Sequence, residues 1–218
     1  MLKASSLQCQ KPQEIGQSIQ NEYPIIEMFH SIQGEGYWTG HNAFFIRIAG
    51  CDVGCPWCDT KESWSAKGYP VLNIAAIVAE IKASGSPIAV ITGGEPLMHN
   101  LDGLTHALQS EGIRTHLETS GAHPLSGQWE WITLSPKPHR PPLEEILESC
   151  DELKVIVSEV ADFRWATEMK VKAHNAYHFY LQPEWSRREA AIPLILEHIA
   201  SHPRWRIGLQ THKLLSIK

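Results

Sequence analysis

Cys51, Cys55 and Cys58 crowd into one short segment, Cys51-Asp-Val-Gly-Cys55-Pro-Trp-Cys58. Three thiolates on one loop can wrap a metal cluster. A cubane of four irons ordinarily takes four protein thiolates, so three leave one iron open, and an open iron can chelate a small ligand. The rival chemistry is a zinc ion, which wants a fourth Cys or His to complete its tetrahedron; His41 and His99 could be recruited. A second segment, Ile88-Ala-Val-Ile-Thr92-Gly93-Gly94-Glu95-Pro96, reads as a buried strand ending in a glycine pair and a carboxylate. Without a Cβ the backbone there can approach a ligand closely. Most Gly-Gly turns only reverse the chain, so the order and separation of the two segments carry more weight than either alone.

Such motifs need elements to position them. Short apolar runs rich in Ile, Val, Phe and Tyr recur, each followed by turn residues and then by helical spacing. They predict strands at 25–29, 44–49, 88–92, 115–119, 131–134, 153–157, 177–181 and 205–210. Ile74, Ile77, Val78 and Ile81 follow i, i+3, i+4, i+7 spacing behind Asn73, a good capping residue, and predict an amphipathic helix. Further helices are expected over 100–110, 162–173 and 187–200. Pro136, Pro138, Pro141 and Pro142 mark one long irregular loop. Strands joined by helical crossovers predict an α/β fold: a parallel sheet, closed or partly closed, with ligands at the carboxyl ends of its strands. Both motifs directly follow strands.

Composition narrows the class. A chain of 218 residues suits one compact domain, and 43% apolar with 20% charged residues describes a globular protein. The net charge of -5 gives no overall attraction to nucleic acid or to an anionic membrane. No run approaches the roughly 18 apolar residues that span a bilayer. Residues 1–22 are rich in glutamine and read as a polar tail before a single domain over 23–218, with neither an apolar signal core nor an Arg-rich amphipathic face. Five cysteines, three of them crowded, make a poor disulfide framework, so a reducing cytoplasm is the expected compartment. Cys9 and Cys150 lack partners at ligand spacing and are read as incidental.

The two motifs in this order resemble the radical S-adenosylmethionine superfamily, whose CxxxCxxC loop follows the first barrel strand and whose GGEP-like motif follows the second. The resemblance implies a partial (β/α) barrel with helices outside, here trimmed, because residues 122–150 look short of helix. It also implies a four-iron, four-sulfur cluster on the three cysteines. The methionine moiety of S-adenosylmethionine would chelate the open iron. One electron, from a donor protein such as a flavodoxin, would then break the C5'-S bond, and a 5'-deoxyadenosyl radical would abstract a substrate hydrogen. That reactivity belongs to the cofactor; the protein supplies orientation, electron delivery and exclusion of water.

A narrower resemblance covers most of the chain. Ile26-Glu-Met-Phe-His-Ser-Ile-Gln33-Gly34-Glu35-Gly36, Phe45-Ile-Arg47-Ile-Ala-Gly-Cys51, Cys58-Asp59-Thr60, Ser135-Pro-Lys137, Gln182-Pro183 and Leu209-Gln-Thr-His-Lys213 are similar to the 7-carboxy-7-deazaguanine synthases. That family contracts 6-carboxy-5,6,7,8-tetrahydropterin to 7-carboxy-7-deazaguanine with loss of ammonia, feeding queuosine and other 7-deazapurine pathways, and implies a homodimer. By this resemblance Ile32, Gln33, Gly34, Arg47 and Thr92 would hold the pterin, Arg47 meeting its carboxylate with a planar donor fork. Glu35 is a weaker substrate candidate. Thr60 would ligate a magnesium ion that the substrate completes. Trp57, Cys58, Asp59, Gly94, Ser135, Pro136, Lys137, Gln182, Pro183, Glu184 and Trp185 would surround the adenosylmethionine.

Some family members end in a proline that reaches the substrate site, whereas this chain ends Ser216-Ile217-Lys218, and nothing is carried over from that end. The stretch 62–71 cannot be placed. His116, His139, His178 and His212 are read as structural or solvated. Three rivals stand beside the preferred reading, one of them a paralogue that keeps the cluster and adenosylmethionine sites but reduces, methylates or rearranges another heterocycle. A radical activase of a partner's glycine predicts an exposed docking groove and no pterin-shaped pocket; a zinc-stabilised binding module predicts a colourless protein.

Overall fold

The computed structural model describes residues 20–218. Cys9 and most of the expected tail lie outside them. Gln20 to Glu22 belong to the folded body: Gln20 Oε1 accepts from the Asn100 N–H at 3.0 Å, and Glu22 opens the first strand.

Nine strands form one sheet in the order β3-β1-β2-β4-β5-β6-β7-β8-β9. In chain order they are β1 (Glu22–Ile32), β2 (Asn42–Ile48), β3 (Val71–Asn73), β4 (Ile88–Gly93), β5 (Arg114–Thr119), β6 (Trp131–Leu134), β7 (Glu152–Val157), β8 (His178–Pro183) and β9 (Arg206–Ile207). The helices are α1 (Ile74–Ser84), α2 (Asp102–Ser110), α3 (Glu144–Ser149), α4 (Asp162–Lys172), α5 (Arg188–Ser201) and α6 (Thr211–Leu215). From β2 to β9 every neighbouring pair is parallel. β1 departs from the expected parallel arrangement, running antiparallel to both β2 and β3. The reason is its connection: the residues between β1 and β2 contain no helix, and a parallel neighbour needs a long crossover.

Alternation along the strands splits the residues between two faces. Phe44, Ile46 and Ile48 of β2, Leu153, Val155 and Val157 of β7, and Phe179 and Leu181 of β8 face the helices and join the main core with Ile77, Ile81, Leu104, Leu108 and Ile195. Their partners in the alternation, Phe45 and Arg47, Lys154 and Ile156, and Gln182, line the concave inside of the partial barrel. α1 begins as predicted, the Asn73 side chain accepting from the Ala76 N–H, and stops at Gly85 with φ 68°.

The barrel is trimmed where expected, since no helix bridges β5 and β6. The second half of 122–150 does hold a helix, α3, whose Ile146 and Leu147 are buried. Its six residues are too few for a periodicity to show. β9 is shorter than the predicted 205–210, because the chain turns at Gly208 toward the cleft. The 62–71 stretch supplies a 3-10 turn at Lys61–Trp64 and the start of β3. No helix among the described residues is long and apolar enough to cross a membrane.

Candidate active site

A cleft of about 1200 Å³ opens at the carboxyl ends of the parallel strands. All of the residues singled out for metal, cofactor and substrate line it: Cys51, Cys55, Cys58 and Thr60; Trp57, Asp59, Gly94, Ser135 to Lys137 and Gln182 to Trp185; Ile32 to Gly34, Arg47 and Thr92. They come from six separate stretches, and the sheet brings them to one rim.

The cysteine loop leaves β2 and is held by backbone. Gly50 N donates to Ser63 O at 2.8 Å, Cys51 N to Trp64 O at 3.1 Å and Cys58 N to Cys55 O at 3.1 Å. On its outer side Asp52 meets His123 and Arg140, each at 2.8 Å, and Val53 O bonds His139 Nε2 at 3.0 Å. Next to the loop, Gly94 N donates to Ile48 O and Glu95 N to Gly50 O, both at 2.8 Å. A Cβ on Gly94 would stand 2.1 Å from Gly50 O and 3.0 Å from Cys51 Cβ, so only glycine lets the two motifs touch. Glu95 is buried and structural: it accepts from Leu97 N, Thr119 Oγ1 and Ser120 N.

The three thiols are free and half-buried. Burial pushes the Cys51 and Cys55 thiols up, with Lys137 pulling Cys55 the other way. Thiolates there therefore need a cation, and a positive iron cluster supplies one. The zinc alternative fares worse. The two histidines it would recruit are engaged elsewhere: His99 Nε2 with Ala49 O at 3.0 Å, and His41 Nδ1 with Trp38 O at 3.0 Å. Thr60 Oγ1 lies 3.9 Å from Cys58 Sγ. Cys150 is buried away from the cleft, its thiol pushed up to about 12 by desolvation.

The wall beside the cysteine loop is strapped by α6. Lys213 pairs with Asp59 at 2.9 Å and lies 5.0 Å above the Trp185 ring, joining the cysteine loop to the loop after β8. Lys137 turns inward, its Nζ donating to Ser135 O at 2.5 Å and Ser135 Oγ at 2.7 Å. Desolvation lowers its pKa.

A buried charged network forms the cleft's floor. Lys154 of β7 donates to Glu35 at 2.6 Å and Glu118 at 2.9 Å. Gln210 and Gln182 donate to Glu35 at 2.7 and 3.2 Å, and Gln33 Nε2 donates to Glu118 at 3.3 Å. Burial opposes the Glu35 charge, but Lys154 and the Gln210 amide outweigh it and hold the carboxyl at about 2. Glu118 is raised, burial exceeding its share of Lys154. Glu152, deeper on β7, is raised to about 7 by burial. Below them Tyr37 stacks on His178 at 4.3 Å and on Trp131 at 5.2 Å, sealing the amino end of the barrel.

Comparison with known proteins agrees with this layout. The model of the radical SAM superfamily matches residues 45–157. The chain is 50% identical to the 7-carboxy-7-deazaguanine synthase of Synechocystis sp. over 90% of this chain and 94% of that protein. The chain belongs to the 7-carboxy-7-deazaguanine synthase family. The family's Escherichia coli enzyme is 36% identical over 90% of this chain and 99% of that protein. The crystal structure of QueE from Escherichia coli superposes with a TM-score of 0.77 at 35% identity, covering 88% of this chain and 95% of that one. As a member of the 7-carboxy-7-deazaguanine synthases, the chain is a radical SAM enzyme with the family's four-iron cluster and S-adenosylmethionine.

Sequence reasoning missed several residues of the cleft. Glu118 and Lys154 lie on strands that read as ordinary buried runs, and Gln210 follows a strand end. His212, set aside as structural or solvated, also lines the cleft and packs on Gly34, where a Cβ would come within 2.2 Å of its Nδ1. Alternation puts Glu118 and Lys154 on the inside of the barrel, but it distinguishes them from other strand positions only once the strands are paired.

Proposed function

We propose that this chain converts 6-carboxy-5,6,7,8-tetrahydropterin to 7-carboxy-7-deazaguanine with loss of ammonia, in queuosine and related 7-deazapurine biosynthesis. One observation carries it: three free thiols, a carboxylate-matching arginine and a glycine-pinned strand end share one cleft with a charged floor. A bound cluster and S-adenosylmethionine supply hydrogen-atom abstraction, and the chain's own residues bind, orient and keep water out.

Cys51, Cys55 and Cys58 hold the cluster. Trp57 to Asp59, Gly94, Ser135 to Lys137 and Gln182 to Trp185 enclose the adenosylmethionine. Ile32 to Gly34, Arg47 and Thr92 hold the pterin, with Arg47 on its carboxylate. Thr60 gives one oxygen to magnesium, an ion that takes few protein ligands and keeps the rest for water and substrate. The floor adds fixed charge: Glu35 is ionised, so it can accept hydrogen bonds from the amine-rich edge of a pterin. The enzyme works as a cytoplasmic homodimer fed by a one-electron donor protein such as a flavodoxin.

The test is anaerobic reconstitution with iron and sulfide, then incubation with dithionite, S-adenosylmethionine, magnesium and the carboxypterin. Product formed without net consumption of S-adenosylmethionine supports the assignment. Release of 5'-deoxyadenosine with no deazaguanine would sink it while leaving the radical chemistry. Cys58→Ala should abolish both outcomes.

A further inference from the structure

Arg47 is held in an unusual way. Its Nε donates to Glu27 Oε1 at 3.1 Å, and among the described residues no hydrogen bond reaches its two terminal nitrogens. Glu27 sits directly across the β1–β2 pair from Arg47, in the register that runs unbroken from there to Ile32 and Asn42, and a register shift follows between Ile25 and Glu27. Ile25 pairs with Ile48 and Glu27 with Arg47, so one extra residue, Ile26, is inserted on β1. The bulge lies beyond the Glu27–Arg47 pair, which with Phe29 and Phe45 falls on the cleft side of the sheet.

Glu27 would repel an anionic ligand if it stood there alone. Its second oxygen accepts from Lys218 Nζ at 2.7 Å, and Lys218 also lies 5.3 Å above the Phe29 ring, itself stacked on Phe45 at 5.1 Å. One carboxylate between two cations leaves these three side chains with a single net positive charge, which suits a monoanion. Burial raises the Glu27 carboxyl, but the hydrogen bonds from Lys218 and Arg47 outweigh it and keep it ionised.

We propose that Glu27 is a positioning residue: it grips Arg47 by Nε and presents the free guanidinium fork to the substrate's carboxylate, while Lys218 offsets its charge. The corner thereby selects carboxylated over uncarboxylated pterins. This rests on the functional reading above, and it adds a residue and a selectivity to it.

Fluorescent 6-carboxypterin and plain pterin, titrated into the reconstituted protein with S-adenosylmethionine bound, measure the selectivity without turnover. The wild type should prefer 6-carboxypterin by about tenfold, the size of one charge-assisted hydrogen bond. Glu27→Ala should remove most of that preference while pterin affinity stays within about twofold, and in turnover KM should rise with kcat nearly unchanged. Glu27→Gln, which keeps an acceptor for Nε, should recover part of the loss. Lys218→Ala, an exposed side chain whose removal leaves the core intact, should weaken 6-carboxypterin by about threefold. Equal losses for both ligands in Glu27→Ala, or no loss for either, overturn the proposal. A wild type that forms the deazaguanine yet shows no preference also overturns it. A wild type that binds neither pterin and forms no product overturns the functional reading first.

Discussion

Glu152→Gln isolates the energetics of the charged floor. Glu152 is 2% exposed and accepts from the Tyr37 N–H at 2.9 Å. Burial raises its carboxyl from the 4.5 of a free glutamate to about 7, against the pull of Lys154. A carboxyl with a higher pKa folded than unfolded binds more protons in the native state. Its contribution to stability is therefore present at low pH and declines as pH rises through 4.5 to about 7. At about 1.36 kcal/mol per decade the whole effect is about 3 kcal/mol, of which about 2.5 falls between pH 5 and 8. Glutamine keeps an acceptor for Tyr37 and does not titrate. Glu35, held at about 2, titrates below this window, and Glu118, also raised, takes over part of the response. The stability of the variant relative to wild type should thus grow by about 1–2.5 kcal/mol from pH 5 to pH 8. Urea unfolding of the apoprotein under reductant, followed by tryptophan fluorescence at both pH values, reads this directly. Parallel pH profiles for the two proteins would refute the reasoning.

Three further outcomes follow from the same geometry. Lys154→Met leaves Glu35 and Glu118 without their shared cation and should cost about 3–5 kcal/mol at pH 8, less at pH 5 where carboxyls can protonate; urea unfolding at the two pH values checks it. Gly94→Ala forces a methyl against Gly50 O and should push the cysteine loop aside, so iron content after reconstitution should fall well below wild type while the folded chain persists by circular dichroism. Gly34→Ala must displace His212 and with it the wall of the substrate turn, and should lower kcat/KM on the order of 10–100-fold.

The fold was legible where pattern was strong. The helix behind Asn73 and the strands leading into Cys51 and Gly93 have clear periods and end in turn residues, and they stand where expected. α3 and α6 were invisible because six and five residues complete too little of a helical period. The antiparallel β1 was misjudged because a strand's direction is set by its connection, and the residues after Ile32 carry no signature of a turn short enough to announce it. At the site, residues on loops after strands could be found from their chemistry. Glu118 and Lys154 could not, since a charged residue inside a buried strand has meaning only once its partner on another strand is known; these two are far apart in sequence and 2.9 Å apart in space.

The connection between β1 and β2 explains why the floor and the substrate wall belong together. Gln33 N and Gly40 N close it onto His41 O and Gln33 O, both at 2.8 Å. Its first residues, Gln33 and Glu35, reach Glu118 and Lys154, while its middle, Tyr37, plugs the barrel from beneath. Gly36, with φ 66°, passes so close to Glu152 that a Cβ would lie 2.0 Å from Oε1. A single nine-residue segment therefore covers one end of the barrel and sets the turn that faces the ligand. Because Lys154 and Glu152 alternate with core residues on one strand, neither can shift without moving β7. The buried ions cost desolvation energy, and what they gain in return is a turn fixed from below by a rigid strand rather than by the ligand it must bind.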